Sequence, residues 1–343
     1  MQKIKKILFL IAALLIVGGG FLVYIIYQNI QAVNNSSATP TGDSDDLSAR
    51  KLDGMMVDPA KTDFLPVAVM VENHFDARPQ AGLAEAKIVY EVLTEGLITR
   101  FLAIYDLSES VAAIGPVRSA RPYFIELASE YGALYAHSGS SPEALKILEG
   151  SDRVTDLNEF YGYNTGYFWR DDKKIAPHNL FTSSDLLAEA KTQYGLQDKT
   201  DFEMWQFKDD GSPATTTQEI KIEYSILPTY HVIWKYKSNE NKYERWQNEQ
   251  AHTDSTGNFI FARNVIIQFV VTKTIDDIGR KEITLTGKGK ALVFRDGESI
   301  EGYWQKEEDW HRTRFYDASG QEIQFNRGNI WVEIVPDFMD ISF

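Results

Sequence analysis

The chain has 343 residues, of which 43% are hydrophobic and 24% charged, and its formal net charge at pH 7 is −14. This composition argues against a largely disordered chain and a protein with many membrane spans, and the acidic balance argues against nucleic acid as a partner. The chain contains no cysteine, which excludes disulfides, thiolate metal sites, iron–sulfur clusters and a cysteine nucleophile. We expect no cofactor.

The N-terminus has the pattern of a membrane anchor. Residues 1–6 include three lysines, and residues 7–27 carry no charge. As a helix, the uncharged stretch is long enough for the ~30 Å core of a bilayer. Because no basic residue follows before Arg50, the positive-inside rule places residues 1–6 in the cytoplasm and the bulk of the chain outside. We predict a single-pass protein of the cell membrane with residues 7–27 as a signal anchor; the alternative is a cleaved signal peptide.

The remainder divides into a tether and two globular regions. Residues 28–54 are polar and predict a flexible tether. Residues 55–206 combine apolar runs with helical patterns at 122–131, 141–148 and 184–194, which predicts an α/β or α+β domain. Residues 207–219 are typical of a linker. Short β-type runs and turn signals fill residues 220–343, which predicts a mostly β domain, a small barrel or sandwich.

Acidic and basic side chains are concentrated in the first globular region. Glu91 and Glu95 lie four residues apart and fit either acid–base chemistry on a glycan or ion pairs with nearby arginines. Arg118 and Arg121 lie three residues apart, so both guanidinium groups can face one carboxylate or phosphate ligand. Together with Arg100, they can equally well pair with the two acids. Both interpretations remain open at this point.

Two histidine segments add further candidates. His137, Ser138 and Ser140 join a strand to a helix, where amides and hydroxyls form either a polar pocket or an ordinary helix cap. A serine nucleophile is disfavoured because the segment lacks the G-x-S-x-G motif. His178 and Asn179 follow a proline in a loop. No two histidines have the spacing of a metal-binding motif, so we expect no metal.

Several of these segments resemble a known family. The blocks RPQAGLAEAKIVYEVLTEG, TRFLAIY, GPVRSARPYF and PHNL occur in this order, followed by NVIIQF, GKGKALVF and GNIWVEIVP. They are similar to the YerB family of bacterial lipoproteins, a two-domain family of uncharacterised function. The resemblance covers nearly all of the chain after residue 55. It implies an extracytoplasmic, membrane-attached protein of a Gram-positive bacterium, and it implies no known reaction.

The resemblance also implies a difference in attachment. Many relatives carry a lipobox cysteine, and this chain has none. Its contact with the membrane is therefore expected to depend on residues 7–27.

These observations favour a binding or scaffold protein of the bacterial cell envelope over an enzyme. Its first domain would offer a polar cleft to a wall-derived fragment, another anionic ligand or a partner envelope enzyme, with peptidoglycan as a further possible partner. The alternative is a hydrolase or transferase that acts on wall polymers through paired carboxylates or a histidine. The candidate ligand-binding residues are Glu91, Glu95, Arg100, Arg118, Arg121, His137, Ser138, Ser140, His178 and Asn179.

Overall fold

The fold is known from a computed structural model, which describes residues 47–198, 201–215 and 218–343. The predicted signal anchor at 7–27 and most of the predicted tether at 28–54 lie outside these residues. Within the described part of the chain, no helix combines the length and the apolar character needed to cross a membrane.

Most of the apolar runs form β-strands. The first half contains β1 (Ser48–Ala49), β2 (Met56–Val57), β3 (Val67–Glu72), β4 (Ile88–Leu93), β5 (Thr99–Tyr105), β6 (Leu134–His137), β7 (Thr155–Asn158), β8 (Trp169–Arg170) and β9 (Leu180–Phe181). The second half contains β10 (Phe207–Lys208), β11 (Glu219–Glu223), β12 (His231–Lys237), β13 (Lys242–Gln247), β14 (Gln250–Ala251), β15 (Phe261–Ala262), β16 (Asn264–Val270), β17 (Thr272–Thr274), β18 (Lys281–Ile283), β19 (Gly287–Arg295), β20 (Glu298–Lys306), β21 (Arg314–Asp317), β22 (Phe325–Asn326) and β23 (Ile330–Pro336).

Three α-helices occur in the described residues, and their starts follow local rules. They are α1 (Pro122–Ser129), α2 (Pro142–Gly150) and α3 (Ser184–Gln193). The hydroxyl of Ser141 accepts the amide of Ala144 at 3.2 Å, and the hydroxyl of Ser183 accepts the amide of Leu186 at 3.3 Å. Such caps satisfy amides that have no partner within the helix.

The main sheet has ten strands and belongs to both halves of the chain. Its order is β21-β20-β19-β16-β23-β4-β5-β3-β6-β7. Strand β23 lies in the middle, parallel to β16 on one side and to β4 on the other. The sheet therefore continues from the second half into the first without a break.

The two faces of this sheet have different coverings. Along β3, Val67, Val69 and Val71 belong to a core that also contains Trp234 from a second sheet, which β11 to β15 form. The alternate residues Ala68 and Met70 belong to a core that also contains residues of helices α1 and α2. This alternation is the two-residue period of a strand that is buried on both faces.

The fold-class prediction is wrong: the described part of the chain is mostly β, rather than an α/β or α+β domain followed by a mostly β domain. The helical patterns at 122–131, 141–148 and 184–194 do form helices, but these have only 8, 9 and 10 residues. More residues lie in strands than in helices, because apolar runs from both halves of the chain join one sheet. The hydrophobic periodicity of a segment indicates whether it forms a strand, but it does not show which other strands lie beside it in the sheet. The division of the chain at residues 207–219 stays a prediction.

Candidate functional site

Polar side chains collect at one edge of the main sheet. Strands β3, β6 and β7 run parallel, so their carboxyl ends meet there. Strand β4 ends at the same edge and β5 begins there, because β5 is antiparallel to both β4 and β3. We call this group the strand-end rim; it consists of Glu72, His74, Asp76, Glu95, Arg100, Arg118, Arg121, His137, Ser138, Ser140, Asp156, Glu159, Arg170, His178 and Asn179. In open sheets, ligands commonly bind at the carboxyl ends of strands.

Glu72 is the centre of one part of the rim. Its carboxylate is 2% exposed and lies between two basic side chains. The Nδ1 atom of His178 is 2.9 Å from Oε2, and the Nε atom of Arg118 is 3.0 Å from Oε1, an ion pair whose angle falls outside that of a hydrogen bond. The side chain of Arg118 is 26% exposed. Neither of its Nη atoms has a hydrogen-bond partner among the described residues.

His74 extends this part of the rim toward solvent. Its ring stacks on the ring of His178, with centroids 4.8 Å apart and an interplanar angle of 13°. Its Nδ1 atom accepts the amide of Asp76 at 3.3 Å. Burial lowers the pKa of His74, and the neighbouring His178 lowers it further. At neutral pH the imidazole of His74 is therefore uncharged.

Glu95 forms a second part of the rim, with two arginines. Arg121 donates Nε to Oε2 at 3.1 Å and Nη2 to Oε1, and Arg100 places Nη2 3.5 Å from Oε1. Burial would raise the pKa of Glu95, but the charges of Arg100 and Arg121 outweigh burial and hold it at about 2. Arg100 also donates to the carbonyl of Ser119 at 2.8 Å. This group therefore ties the turn at Glu95–Leu97 to the loop before α1.

His137 forms a third part, and both of its ring nitrogens are occupied. Nδ1 is 2.8 Å from the carbonyl of Gly139, and Nε2 is 2.7 Å from Oδ1 of Asp156. The hydroxyl of Ser138 donates to Glu159 at 3.0 Å rather than to the histidine. Ser140 forms an isolated parallel β-bridge with Ala120, which lies in the loop before α1. The geometry of a serine nucleophile beside a histidine base is thus missing from this segment.

Asn179 positions the loop that carries His178. Its side-chain oxygen accepts Nη1 of Arg170 at 3.2 Å, and its amide donates to the carbonyl of Asp171 at 3.3 Å. Arg170 also donates to Glu159 at 3.2 Å, so it connects the loop of His178 to the segment that follows β7.

Glu91 lies away from the rim, between the two sheets. Its Oε2 atom is 2.5 Å from Nη2 of Arg245, and both side chains are fully buried. Glu333 is opposite Glu91 in the register of β4 and β23, and it accepts Tyr224 and Trp234 at 2.7 Å each. Burial raises the pKa of Glu333 well above its ordinary value, and the charge of Glu91 raises it further. We call Glu91, Arg245 and Glu333 the buried Glu–Arg cluster; solvent does not reach it.

The structure thus brings together every predicted site residue except Glu91, although whether they bind a ligand stays a prediction. Sequence reasoning missed several members of the rim. For Glu72 and His74 a signal existed, because they follow a buried apolar run at the position where a strand must end. For Arg245 no local signal existed, since its partner Glu91 lies on a distant strand.

Two cavities lie elsewhere on the molecule. The larger, of about 670 Å³, is lined by residues of both halves, among them Glu130, Lys306 and Arg312. Glu130 accepts Arg312 at 3.1 Å and lies 3.1 Å from Nζ of Lys306, so these buried charges compensate one another. The smaller cavity, of about 380 Å³, lies beside helices α1 and α2. None of the predicted site residues lines either cavity.

One sheet shared by two halves, with a polar rim at its strand ends, defines a β-rich protein of two sequence regions. Residues 52–197 match the family described as "Protein of unknown function (DUF3048) N-terminal domain", and residues 220–332 match the corresponding C-terminal domain. The chain belongs to this family.

A curated relative and a solved structure agree with this assignment. The chain is 35% identical over 289 residues to "Putative lipoprotein YerB" of Bacillus subtilis (strain 168), which covers 83% of this chain and 86% of the relative. The crystal structure of the YerB protein from Bacillus subtilis matches with a TM-score of 0.76 at 35% identity. That match covers 85% of this chain and 99% of the solved one.

Proposed function

We propose that this chain is a binding protein of the bacterial cell envelope, which takes an anionic group of a wall-derived fragment at the strand-end rim. Arg118 supports this proposal most directly. Glu72 fixes its Nε end at 3.0 Å, while the Nη atoms are unpaired and the side chain is 26% exposed. A guanidinium held at one end and open at the other is suited to bind a carboxylate or phosphate.

A hydrolase that uses paired carboxylates receives less support. Glu91 is buried in an ion pair with Arg245 and does not reach solvent. Glu95 has a pKa of about 2 and stays ionised at neutral pH, so it is a poor proton donor. His137 has an acceptor at each ring nitrogen and no free position for a base. Glu95 and His137 therefore fit a role in holding the rim together, and Glu91 fits a role in holding the two sheets together.

The cellular location is inferred from the relative's description. The Bacillus subtilis protein is named "Putative lipoprotein YerB", and a protein of this family at the envelope would meet wall fragments. This chain has no cysteine, so the proposal concerns a position near the membrane and does not include lipid modification of a thiol.

Binding to wall fragments tests the proposal. The probe is a mixture of soluble muropeptides from digested bacterial wall, titrated into the purified full-length chain in mild detergent. We expect saturable binding that Arg118→Gln weakens about ten- to hundredfold, as for the loss of a charge-assisted hydrogen bond. The control is Arg153→Gln, since Arg153 is 49% exposed and stacks on Trp310 away from the rim. Equal binding by the wild type and Arg118→Gln, or no binding by the wild type, would refute the proposal.

A further inference from the structure

Among the residues that the structure describes, one group of three side chains is placed to hold a metal ion. His74, Asp76 and His178 each offer a ligand atom, and these atoms lie within 4.8 Å of one another. We propose that these three side chains bind a divalent transition-metal ion of the Zn²⁺ type, with Glu72 as the residue that orients His178. This site goes beyond the proposed anion binding, which needs only Arg118.

The sequence alone argued against a metal because no histidine pair has a motif spacing. The fold supplies the missing proximity. His74 follows β3 and caps the short helix Phe75–Ala77, while His178 lies on the loop before β9. The stacked rings show that the two loops meet, with 4.8 Å between centroids. Two imidazoles and a carboxylate are a ligand set that zinc accepts in proteins.

Glu72 gives His178 the tautomer that a metal ligand needs. A carboxylate 2.9 Å from Nδ1 requires that this nitrogen carry the proton and donate it. The lone pair is then on Nε2, which is free to bind a metal. Metal-binding histidines characteristically donate their second ring nitrogen to a carboxylate or carbonyl. Glu72 is itself held by Arg118 at 3.0 Å and is 2% exposed, so this support is rigid.

His74 and Asp76 already face each other. The Nδ1 atom of His74 lies 3.6 Å from Oδ2 of Asp76. Its lone pair accepts the backbone amide of Asp76, and a metal ion bound at Nδ1 would replace this hydrogen bond.

The remaining adjustment is small. Bonds of about 2.0–2.1 Å in a tetrahedral site place ligand atoms roughly 3.3 Å apart, so the present separations must shorten by up to about 1.5 Å. The side chain of Asp76 is 56% exposed and that of His74 is 27% exposed. Rotation of these two side chains supplies the shortening while buried Glu72 stays in place.

Three protein ligands leave a tetrahedral ion with one open position. Arg118 contacts Glu72, the same carboxylate that contacts Nδ1 of His178.

Zinc binding to the purified, metal-free, full-length chain in mild detergent tests the proposal. ZnCl₂ is titrated in competition with a chromophoric chelator. We expect one Zn²⁺ per chain with micromolar or tighter affinity, which His74→Ala and His178→Gln weaken at least about a hundredfold. The control His311→Ala, at a histidine that lines the 670 Å³ cavity, is expected to bind as the wild type does. Absence of saturable binding, or equal affinity in His74→Ala, would overturn the assignment.

The role of Glu72 needs a measurement that simple unfolding does not mimic. Glu72→Gln is expected to weaken zinc binding about ten- to hundredfold, as is usual when the group that orients a ligand is changed. The visible spectrum of the Co²⁺-loaded chain should change in the same variant, and circular dichroism checks that it is folded. A folded Glu72→Gln variant with wild-type affinity and an unchanged Co²⁺ spectrum would remove Glu72 from the site. Neither metal experiment contains muropeptides, so a failure to bind metal would leave the proposed binding of muropeptides by Arg118 to be decided by its own titration.

Discussion

Replacing Arg245 by methionine should be among the most destabilising single changes in the protein. Arg245 is fully buried and compensates the charge of Glu91 at 2.5 Å. Its guanidinium also lies 5.0 Å from the ring centroid of Trp331 and donates to Gln247 at 3.0 Å. Methionine keeps much of the packing but leaves the buried carboxyl group of Glu91 without its ion-pair partner, beside Glu333 on the neighbouring strand.

The size of the effect follows from this burial. Removing one partner of a buried ion pair costs about 3–5 kcal/mol, because the remaining charge is neither hydrated nor paired. Replacing both partners avoids that cost. The double variant Arg245→Met with Glu91→Gln should therefore recover most of the lost free energy of unfolding, since Asn73 and Thr99 contact Oε1 of Glu91 and can still contact the glutamine.

Urea denaturation of the full-length chain in mild detergent, followed by tryptophan fluorescence, gives these free energies. The two single variants and the double variant form a double-mutant cycle, which isolates the energy of the pair. A loss below about 1 kcal/mol in Arg245→Met, or a double variant no more stable than the single one, would refute the reasoning.

Three further predictions concern pH and packing. Glu95 has a folded pKa of about 2, below its unfolded value, so its ionised form stabilises the fold above about pH 4.5. In denaturation at several pH values, Glu95→Gln should be less stable than the wild type at pH 7, and the difference should vanish as the pH falls toward 2; a constant difference contradicts this. Burial and the charge of Arg245 lower the pKa of His252 well below 6.5, so the unfolded chain alone takes up its proton below that pH. Below pH 6.5, protonation of His252 in the unfolded chain should lower the free energy of unfolding of the wild type by up to about 1.4 kcal/mol per pH unit. His252→Gln should remove this dependence on pH. Finally, an added Cβ at Gly302 would lie 1.9 Å from a backbone oxygen, whereas one at Gly150 meets nothing within 4 Å. Gly302→Ala should lower the free energy of unfolding by about 1–3 kcal/mol, and the midpoint of thermal unfolding should fall with it. Gly150→Ala should leave both unchanged. Equal midpoints for the two variants would contradict the clash.

The sequence predicted those features that depend on neighbours along the chain. Helix α2 follows from Ser141 as its cap and Pro142 in its first turn, and both act within a few residues. The buried run of β3 was equally visible, since each of its six residues is apolar except the last. Local patterns of this kind survive in any tertiary context that buries the same face.

The features that were not predicted depend on residues far apart in the chain. Glu91 gave two interpretations because its partner Arg245 lies on a strand of the other sheet. The pairing of β23 with β4 leaves no trace in either segment, so the shared sheet and the mostly β class were missed. His74 and His178 are more than 100 residues apart in the sequence, and only the fold brings their rings together.

The central position of β23 determines the order in which the protein can be made. Strand β4 has no partner on one side until residues 330–336 have left the ribosome, because Ile88 pairs with Ile330 on β23. Until then β4 exposes a sheet edge that another chain could pair with. Pairings at such sequence separation form slowly. The complete ten-stranded sheet is therefore expected to form only after residues 330–336 have been made.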